Sequence, residues 1–377
     1  MKIALVCKNY LSTKGGLEQY TISLSRGLLQ IGHEVHVFAN KWQREPGVIF
    51  HHVPMVRFSS PGKNLSFAYF AERELSKEKF DVVQSMERIL FQDIFRASDG
   101  INPVQMRERY SNPAVRKLKA MGPRRLALAF LEGRIFRNRG CRFVMTNSQL
   151  VKDQIIEYYQ VNPEKIVVIY NSVDDTKFRP ELKDVYRSAV RNKYGIRSDE
   201  LLLLFVGNDF RRKGLQILLT AMTIRKNPWL RLMVVGSDRT APYLRWAARN
   251  GLDKQVLFLG SHHDIHKFYA ACDVFVLPTR YDAFANSCLE AMACGVPVIT
   301  TCSNGASEII ENGKQGYLLR KWDPEELAER IRALECRTDR AAIGESGAIK
   351  AKNFTMASYM TQLTALYERV RTHKATS

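Results

Sequence analysis

The chain has 377 residues, with 57 lysines and arginines against 38 aspartates and glutamates, which gives a formal charge of +19. Its length predicts two domains of roughly 150–200 residues, and its charge predicts an anionic partner. Seven cysteines without a CxxC pair, and no apolar run near the roughly 18 residues of a membrane span, argue against a disulfide framework and a transmembrane protein. We therefore expect a cytoplasmic protein with reduced cysteines.

The first part of the chain alternates short apolar strands with helices. Helices are predicted at about 17–30, 66–77 and 151–159, and the strands read KIALVC, EVHVFA, VIFHHVP, DVVQSM, RFVMTN and KIVVIYN. Strands that are apolar on both faces are typical of a buried parallel sheet. This pattern predicts an N-terminal α/β domain over residues 1–172.

The same alternation starts again after a polar stretch at 174–199, and we expect a linker between the two domains near residues 172–200. Strands LLLLFVG, LRLMVVG, VLFLG, DVFVLP and GVPVITT alternate with helices, and Asp323-Pro324-Glu325 opens a further helix. We predict a second doubly wound α/β domain over 173–356, and a last helix at about 357–373 that packs back on the first domain. Ligands of such sheets bind beyond the carboxyl ends of the strands, so we expect a site in a cleft where the two sets of strand ends face each other.

Two glycines, Gly15 and Gly16, stand at the start of the first helix in KGGLEQ. Free N–H groups and the helix dipole suit an anion there, and glycine permits close approach. An ordinary turn explains the pair equally well. The motif is not GxGxxG, so a nicotinamide dinucleotide is not indicated.

The segment GNDFRRKG, residues 207–214, follows the first strand of the second domain. We call it the basic loop. The guanidinium groups of Arg211 and Arg212 are planar forks of donors, and the ammonium of Lys213 is a mobile point charge; together they suit a diphosphate. Asn208 lies in the same loop. The alternative is a solvated basic turn.

A third segment, RYDAFANSCLEAMACGVPVITT, carries two acids, Asp282 and Glu290. Helix N–H groups near 285–287 are predicted to hold phosphate, Asp282 to accept hydrogen bonds from sugar hydroxyls, and Glu290 to bind a ribose. The alternative is that Ser287 and Glu290 form a capping box and serve only the helix.

Metal binding is predicted neither at the histidine-rich segment HHDIH nor beside the diphosphate. HHDIH, residues 262–266, lacks a nearby carboxylate pair or cysteines, and the chain contains no DxD to hold a divalent ion on a diphosphate. A leaving diphosphate would then be neutralised by protein donors alone, with no cofactor.

A basic segment lies in the middle of the first domain. Residues 107–142 contain eleven lysines and arginines against two glutamates. Mixed with Leu, Phe, Met and Ile, this composition favours the headgroup region of an anionic membrane; a solvated helical face and a groove for a phosphorylated glycolipid acceptor remain alternatives. The residues singled out for this patch are Arg116, Lys117, Lys119, Arg124, Arg125 and Arg134.

Together, KGGLEQ, NSQLVKDQIIEYYQV with KIVVIYNSVD, DAFANSCLEAMACGVPVIT and SNGASEIIENGKQGYLL resemble the retaining nucleotide-sugar glycosyltransferases of the GT-B fold. The chain is most similar in character to the lipopolysaccharide core α-glucosyltransferase group. The resemblance spans residues 2–367, and the four motifs occur in the family's order.

The resemblance implies roles for the residues already singled out. Gly15 and Gly16 would face the donor phosphates and the acceptor, and Arg212 and Lys213 would hold the diphosphate. Asp282 would contact the transferred sugar, and Glu290 would contact the ribose. Backbone N–H groups of the donor loop would cap the diphosphate, at Phe284, Ala285 and Asn286.

Two positions depart from the family. Asp282 stands where a Glu is usual, so its carboxylate reaches about one methylene less far. SDGINPVQMRER has no His, which leaves the positioning of the acceptor to Asp99, near Asn102.

The predicted function is metal-independent transfer, with retention, of a hexose such as the glucose of UDP-glucose. The predicted acceptor is a glycolipid such as the lipopolysaccharide core, at the inner face of the cytoplasmic membrane. The alternatives are an inactive scaffold of the same fold, a nucleotide-sugar epimerase and a basic nucleic-acid-binding protein. Nucleic acid is not expected as a partner, because no known nucleic-acid module is present and the basic segment has few aromatic residues for stacking.

Overall fold

The structure is a computed structural model that describes residues 1–11, 16–137 and 140–375. It forms two compact units: residues 1–170 with 356–377, and residues 171–355. We call them the first and the second unit and describe each by itself.

The first unit is built on a parallel sheet of seven strands in the order β5-β3-β1-β6-β7-β8-β9, beside a small parallel pair, β2 and β4. The strands are β1 (Lys2–Val6), β2 (Asn9–Tyr10), β3 (Glu34–Ala39), β4 (Lys41–Trp42), β5 (Val48–His52), β6 (Val82–Ser85), β7 (Gln92–Ala97), β8 (Cys141–Thr146) and β9 (Ile166–Val168). The helices are α1 (Gly16–Gln30), α2 (Ser60–Leu75), α3 (Asn102–Arg109), α4 (Pro113–Ala120), α5 (Pro123–Arg137), α6 (Gln149–Tyr159) and, from the end of the chain, α15 (Met356–Ala375).

Helices cover both faces of this sheet, as the apolar strands require. On one face α1 and α15 pack on β1, where Leu28 and Leu363 share a core with Leu5. On the other face α2 contributes Phe67, which packs among β1 residues such as Val6. Burying one such side chain stabilises the fold by about 1.5–3 kcal/mol. Because such side chains are buried on both faces, helix packing stabilises the sheet from both sides.

The second unit repeats the plan with a parallel sheet of six strands in the order β12-β11-β10-β13-β14-β15. The strands are β10 (Leu201–Val206), β11 (Leu230–Val235), β12 (Val256–Gly260), β13 (Val274–Leu277), β14 (Val298–Thr301) and β15 (Gly316–Leu319). The helices are α7 (Leu182–Lys193), α8 (Phe210–Lys213), α9 (Leu215–Arg225), α10 (Ala241–Arg249), α11 (Ile265–Ala271), α12 (Asn286–Ala293), α13 (Pro324–Ala333) and α14 (Arg337–Ala351).

The predicted fold class, two doubly wound α/β layers with parallel sheets, is confirmed by this topology. The helix opened by Asp323 is also confirmed, because the Asp323 carboxylate accepts a hydrogen bond from the N–H of Glu326 at 3.1 Å. The polar stretch expected to be a linker is instead partly helical. It contains α7, in which Leu182 and Val190 are buried and pack the helix beside α11, whereas Val185 is exposed.

None of the helices in the described parts of the chain has the length and hydropathy needed to cross a bilayer.

Candidate functional site

The basic loop is held in a tight turn at the carboxyl end of β10. Asp209 has a left-handed backbone, with φ of 59°, and its carboxylate accepts a hydrogen bond from the N–H of Arg212 at the start of α8. Gly214 follows with φ of 84°, and a Cβ atom there would lie 2.0 Å from the carbonyl oxygen of Pro278. Only glycine fits this position, so the loop is packed directly against the end of β13.

A group of three charged side chains lies where the basic loop meets the segment after β13. Lys213 Nζ donates a short hydrogen bond to Asp282 Oδ2, and Arg212 Nη1 donates to the same oxygen at 3.1 Å. Only 12% of the Lys213 side chain and 14% of the Asp282 side chain are exposed, whereas Arg212 is 38% exposed. We call these three residues the charged triad.

The triad holds its carboxylate in the ionised form. Burial would raise the pKa of Asp282, but the charges of Lys213 and Arg212 outweigh burial and lower that pKa below its ordinary value. Arg212 Nε also donates to Asp209 Oδ2 at 3.2 Å, so the two cations of the triad lie among two carboxylates. Arg212 also donates to the carbonyl oxygen of Tyr281 at 2.8 Å, so its guanidinium is fixed in position.

The structure therefore brings together three side chains that the sequence assigns to two different tasks. Arg212 and Lys213 were expected to bind the diphosphate and Asp282 the sugar, yet the two cations contact the acid directly. The third basic residue, Arg211, is exposed.

Asn304 holds the segment that carries Asp282, and sequence reasoning missed it. Its side chain is fully buried; Oδ1 accepts hydrogen bonds from the N–H groups of Ala285 and Ala306, each at 3.1 Å. Its Nδ2 donates to Thr300 Oγ1 at 3.0 Å. A signal was present, since Asn304 follows β14 at a strand end, where polar residues tend to serve sites.

The start of α12 differs from the sequence-based picture in two ways. The helix begins at Asn286 with Ala285 as its N-cap and has no side-chain capping bond, so the capping box of Ser287 and Glu290 is wrong. Ser287 already lies inside the helix. The N–H of Ala285, expected to bind phosphate, donates to Asn304 instead.

Glu290 lies one turn into α12, and Tyr269 holds its carboxylate through a hydrogen bond. The Tyr269 hydroxyl, in a fully buried side chain, donates to Glu290 Oε2 at 2.9 Å. Burial raises the pKa of Glu290, although this hydrogen bond and the charge of Lys177 oppose the shift. No hydrogen bond to the other oxygen, Oε1, is found in the described part of the chain, which leaves that oxygen for a ligand.

The remaining predicted donor residues lie near this region or at the first helix. Asn208 is exposed, and its Oδ1 accepts from the N–H of Ser237 at 2.7 Å; Asn286 Oδ1 accepts from Asn171 Nδ2 at the same distance. Phe284 is buried. Gly16 is the first residue of α1, and a Cβ there would meet no atom within 4 Å; Gly15 lies outside the described residues.

In the first unit, a buried glutamate organises the loop that carries Asp99. Glu132 is fully buried in α5 and accepts hydrogen bonds from Arg88 Nε at 2.8 Å, the N–H of Asn102 and the hydroxyl of Tyr159. Arg88 also reaches Asp99, which is exposed, at 3.4 Å. Asp99 and Asn102 were predicted from the sequence, but Glu132 was not, although it fixes Asn102 through its backbone N–H and Asp99 through the guanidinium of Arg88.

The predicted basic patch is mostly exposed, with one exception. No residue of α4 is buried, and Lys117, Lys119, Arg124 and Arg134 are exposed, with Arg116 half-buried. Arg125 does not belong to this exposed set. It donates to Asn102 Oδ1 at 2.7 Å, and burial lowers its pKa, helped by the charges of Arg124 and Arg109.

Both halves of the chain match known families of glycosyltransferases. Residues 187–349 match the family described as Glycosyl transferases group 1, and residues 14–177 match Glycosyltransferase Family 4. The lipopolysaccharide glucosyltransferase WaaG of Escherichia coli (strain K12) is 24% identical over 327 residues, which cover 84% of this chain and 85% of that protein. A D-inositol 3-phosphate glycosyltransferase of Stackebrandtia nassauensis is 26% identical in an alignment that covers 94% of this chain and 86% of that protein.

Solved structures show the same fold. A crystal structure of WaaG, described as involved in lipopolysaccharide biosynthesis, has a TM-score of 0.80 at 23% identity and covers 98% of each chain. Anabaena Alr3699/HepE in complex with UDP-glucose has a TM-score of 0.76 at 20% identity, covering 98% of this chain and all of that one. The resemblance to GT-B glycosyltransferases drawn from the motifs is thereby confirmed.

Asp282→Asn is expected to destabilise the second unit by about 3–5 kcal/mol at neutral pH, because the buried ammonium of Lys213 loses its carboxylate. The folded-state pKa of Asp282 lies below the ordinary value of 3.8. The carboxylate therefore stabilises the fold above that value, and its contribution is lost as pH falls through the folded-state pKa. Urea unfolding of wild type and variant at pH 7 and pH 3 measures this, and the difference should be smaller at pH 3.

The double variant Lys213→Met/Asp282→Asn is the control, since it removes both buried charges. It is expected to be more stable than the single Asp282→Asn variant. An equal loss in the single and double variants, or a loss that does not change with pH, would show that the triad does not act through charge.

Proposed function

Because this chain belongs to the group 1 glycosyltransferases of the GT-B fold, we propose that it transfers a hexose from a nucleoside diphosphate sugar, with retention of the anomeric configuration. The observation that carries the proposal is the charged triad at the strand ends of the second unit, with Glu290 one turn into the adjacent helix. The proposed donor is UDP-glucose. Support comes from the name of WaaG, a glucosyltransferase, and from the UDP-glucose bound to Alr3699/HepE.

The triad supports a specific account of leaving-group stabilisation. A lysine ammonium has three donors and an arginine guanidinium five. Arg212 uses Nε on Asp209 and Nη1 on Tyr281 and Asp282, so its Nη2 group, together with the remaining N–H groups of Lys213, can serve phosphate oxygens. As the bond to the anomeric carbon breaks, negative charge grows on the diphosphate, and these fixed cations meet it without reorganising. No metal is required in this account.

Asp282 binds the transferred hexose, and Glu290 binds the ribose of the nucleotide. Asp282 is ionised beside the cations, so it can accept hydrogen bonds from hydroxyls of the transferred hexose. Glu290 is held by Tyr269 through Oε2 and offers Oε1 to a ribose hydroxyl. The same bond from Tyr269 fixes the plane of the carboxylate before the donor arrives.

The proposed acceptor is a glycolipid, such as the lipopolysaccharide core, received by the first unit. WaaG, whose name refers to lipopolysaccharide, supports this class. Asp99 is proposed to position the acceptor hydroxyl, because it is exposed and Arg88 anchors it to the Glu132 network. The reaction would take place at the inner face of the cytoplasmic membrane.

The exposed helices of the first unit support attachment to that surface. Leu118 is 69% exposed, and Leu126 and Phe130 are each 56% exposed, among the basic residues of α4 and α5. Apolar side chains can enter the headgroup boundary while each basic residue near an anionic surface contributes about 1 kcal/mol.

Lys213→Ala is expected to lower turnover by about 10²–10³-fold, because one preorganised donor to the leaving diphosphate is lost. The measurement is transfer of labelled glucose from UDP-glucose to lipopolysaccharide core acceptor, with thermal unfolding to check the fold. Arg211→Ala is the matched control, since Arg211 is the exposed neighbour in the same loop. Near-normal turnover in Lys213→Ala would overturn the diphosphate assignment.

Glu290→Ala is expected to abolish micromolar binding of the donor, because the ribose loses its carboxylate. Calorimetry in EDTA against UDP-, GDP- and ADP-sugars measures this and names the base. Glu345→Ala, at an exposed site of the second unit, should bind as wild type does. If folded wild-type protein binds none of these donors, an inactive scaffold becomes the better reading; binding of nucleic acid with a steep salt dependence would favour the nucleic-acid alternative.

Charge reversal at Lys117 and Arg124 is expected to weaken sedimentation with anionic vesicles at physiological salt severalfold or more, since each reversal replaces attraction with repulsion. The matched control reverses Arg73 and Lys79, two exposed basic residues of the same unit outside α4 and α5. Equal binding by both double variants, or no binding by wild type, would contradict attachment through this surface.

A further inference from the structure

Two histidines and a glutamate come together at the edge of the sheet in the first unit. His36 lies on β3, His51 on the edge strand β5, and Glu78 in the turn after α2. One ligand atom from each lies within 4.8 Å of the other two. Within the described residues this is the only group of three His, Cys, Asp or Glu side chains placed so closely.

The distances are close to those of a metal site. His36 Nδ1 lies 2.8 Å from His51 Nε2 and 3.8 Å from Glu78 Oε2. Ligand atoms bound tetrahedrally to zinc at about 2.0–2.2 Å lie roughly 3.4 Å apart. The two ring nitrogens would therefore separate by about half an ångström and the carboxylate would approach by a similar amount, which small side-chain rotations supply.

A second carboxylate orients His36 as a ligand. His36 Nε2 lies 2.7 Å from Glu34 Oε1, and because a carboxylate accepts, Nε2 carries the hydrogen. Nδ1 then has a lone pair and accepts a hydrogen bond from His51 Nε2. A bound ion would replace that hydrogen, and His51 would carry its ring hydrogen on Nδ1 instead. Metal-binding histidines commonly donate their second ring N–H to a carboxylate in this way.

Aromatic side chains fix the two imidazole rings. Phe38 stacks on His51 with ring centroids 4.3 Å apart, and Phe80 meets His36 edge-on at 5.1 Å. His36 itself is only 3% exposed. Rings that packing holds near their bound positions lose little freedom when they bind an ion.

Charge at the site also favours a cation. Lys2 contacts Glu78 through Oε1, which leaves Oε2 directed at the histidines, and Lys2 Nζ lies 3.7 Å from Glu34. Two carboxylates against one ammonium leave a net negative charge around the imidazole nitrogens. The ammonium thus acts as an outer partner of Glu78 and need not leave when an ion binds.

We propose that His36, His51 and Glu78 bind a divalent ion of the zinc class, with water completing a tetrahedral site and Glu34 as the outer partner of His36. Two nitrogen ligands select zinc, cobalt or nickel over magnesium and calcium. The ion would tie the edge strand β5 to β3 and to the turn after α2. The site belongs to the first unit and is independent of the proposed transfer chemistry.

The test is a titration of the full chain with Co²⁺ after treatment with EDTA and dialysis. We expect one equivalent to bind with visible d–d bands of tetrahedral intensity, to be displaced by Zn²⁺, and to raise the melting temperature. His51→Ala should lower the affinity by more than the roughly tenfold to hundredfold that loss of an outer partner costs. His52→Ala, at the exposed neighbour on the same strand, should bind as wild type does.

Two further variants keep the test decisive if His51→Ala folds poorly. Glu78→Gln changes an exposed residue and should remove the tetrahedral bands, whereas Glu34→Gln should weaken binding about tenfold to hundredfold. The double variant His262→Ala/His266→Ala checks the other histidine-rich segment and should retain full binding. The proposal is overturned if wild type binds no equivalent of Co²⁺, if Glu78→Gln binds normally, or if the 262/266 variant loses the signal.

Discussion

The contact of Lys213 and Arg212 with Asp282 is the interaction on which the second unit's site depends. An ammonium and a carboxylate with less than 15% of their side chains exposed tolerate burial only as partners. Their positions follow from Gly214, which lets the basic loop lie directly against Pro278, and from Asn304, which holds the segment of Asp282. Backbone packing and one buried amide thus set where the cationic donors point.

The first unit contains a comparable arrangement with a different outcome. Glu132 is fully buried in α5 and accepts hydrogen bonds from Arg88, the N–H of Asn102 and the hydroxyl of Tyr159. Its capacity is largely taken up by fixed donors, so the network serves as rigid support for the loop of Asp99. Asp282, by contrast, is bound by two cations that each retain donors for another anion. A buried carboxylate therefore supports a loop in one unit and belongs to the proposed donor site in the other.

Sequence patterns were sufficient for the fold because strand periodicity reflects burial on both sheet faces, a local property of each segment. KIALVC and LLLLFVG became central strands β1 and β10, and the basic loop and Asp282 were correctly placed after strands. The features that the patterns did not predict depend on contacts between residues far apart in the sequence. The helix α7 was read as linker because its buried positions are few, and the capping box failed because the helix begins before Ser287. Glu132 and Asn304 gave only weak local signals, since the three donors to Glu132 and the N–H of Ala285 that binds Asn304 come from segments distant in sequence.

The placement of Arg125 shows why a run of like charges does not define one surface. Four neighbours in the basic segment are exposed, but Arg125 turns inward to Asn102 and joins the network of Glu132. A guanidinium with a buried amide partner has already lost part of its hydration, so moving it to a lipid headgroup would cost that hydrogen bond. In the proposed attachment, attraction to an anionic membrane would then come from α4 and the exposed side of α5, which also expose Leu118 and Phe130. Charge and apolar area coincide there, and Arg125 instead connects the base of that surface to the loop proposed to receive the acceptor.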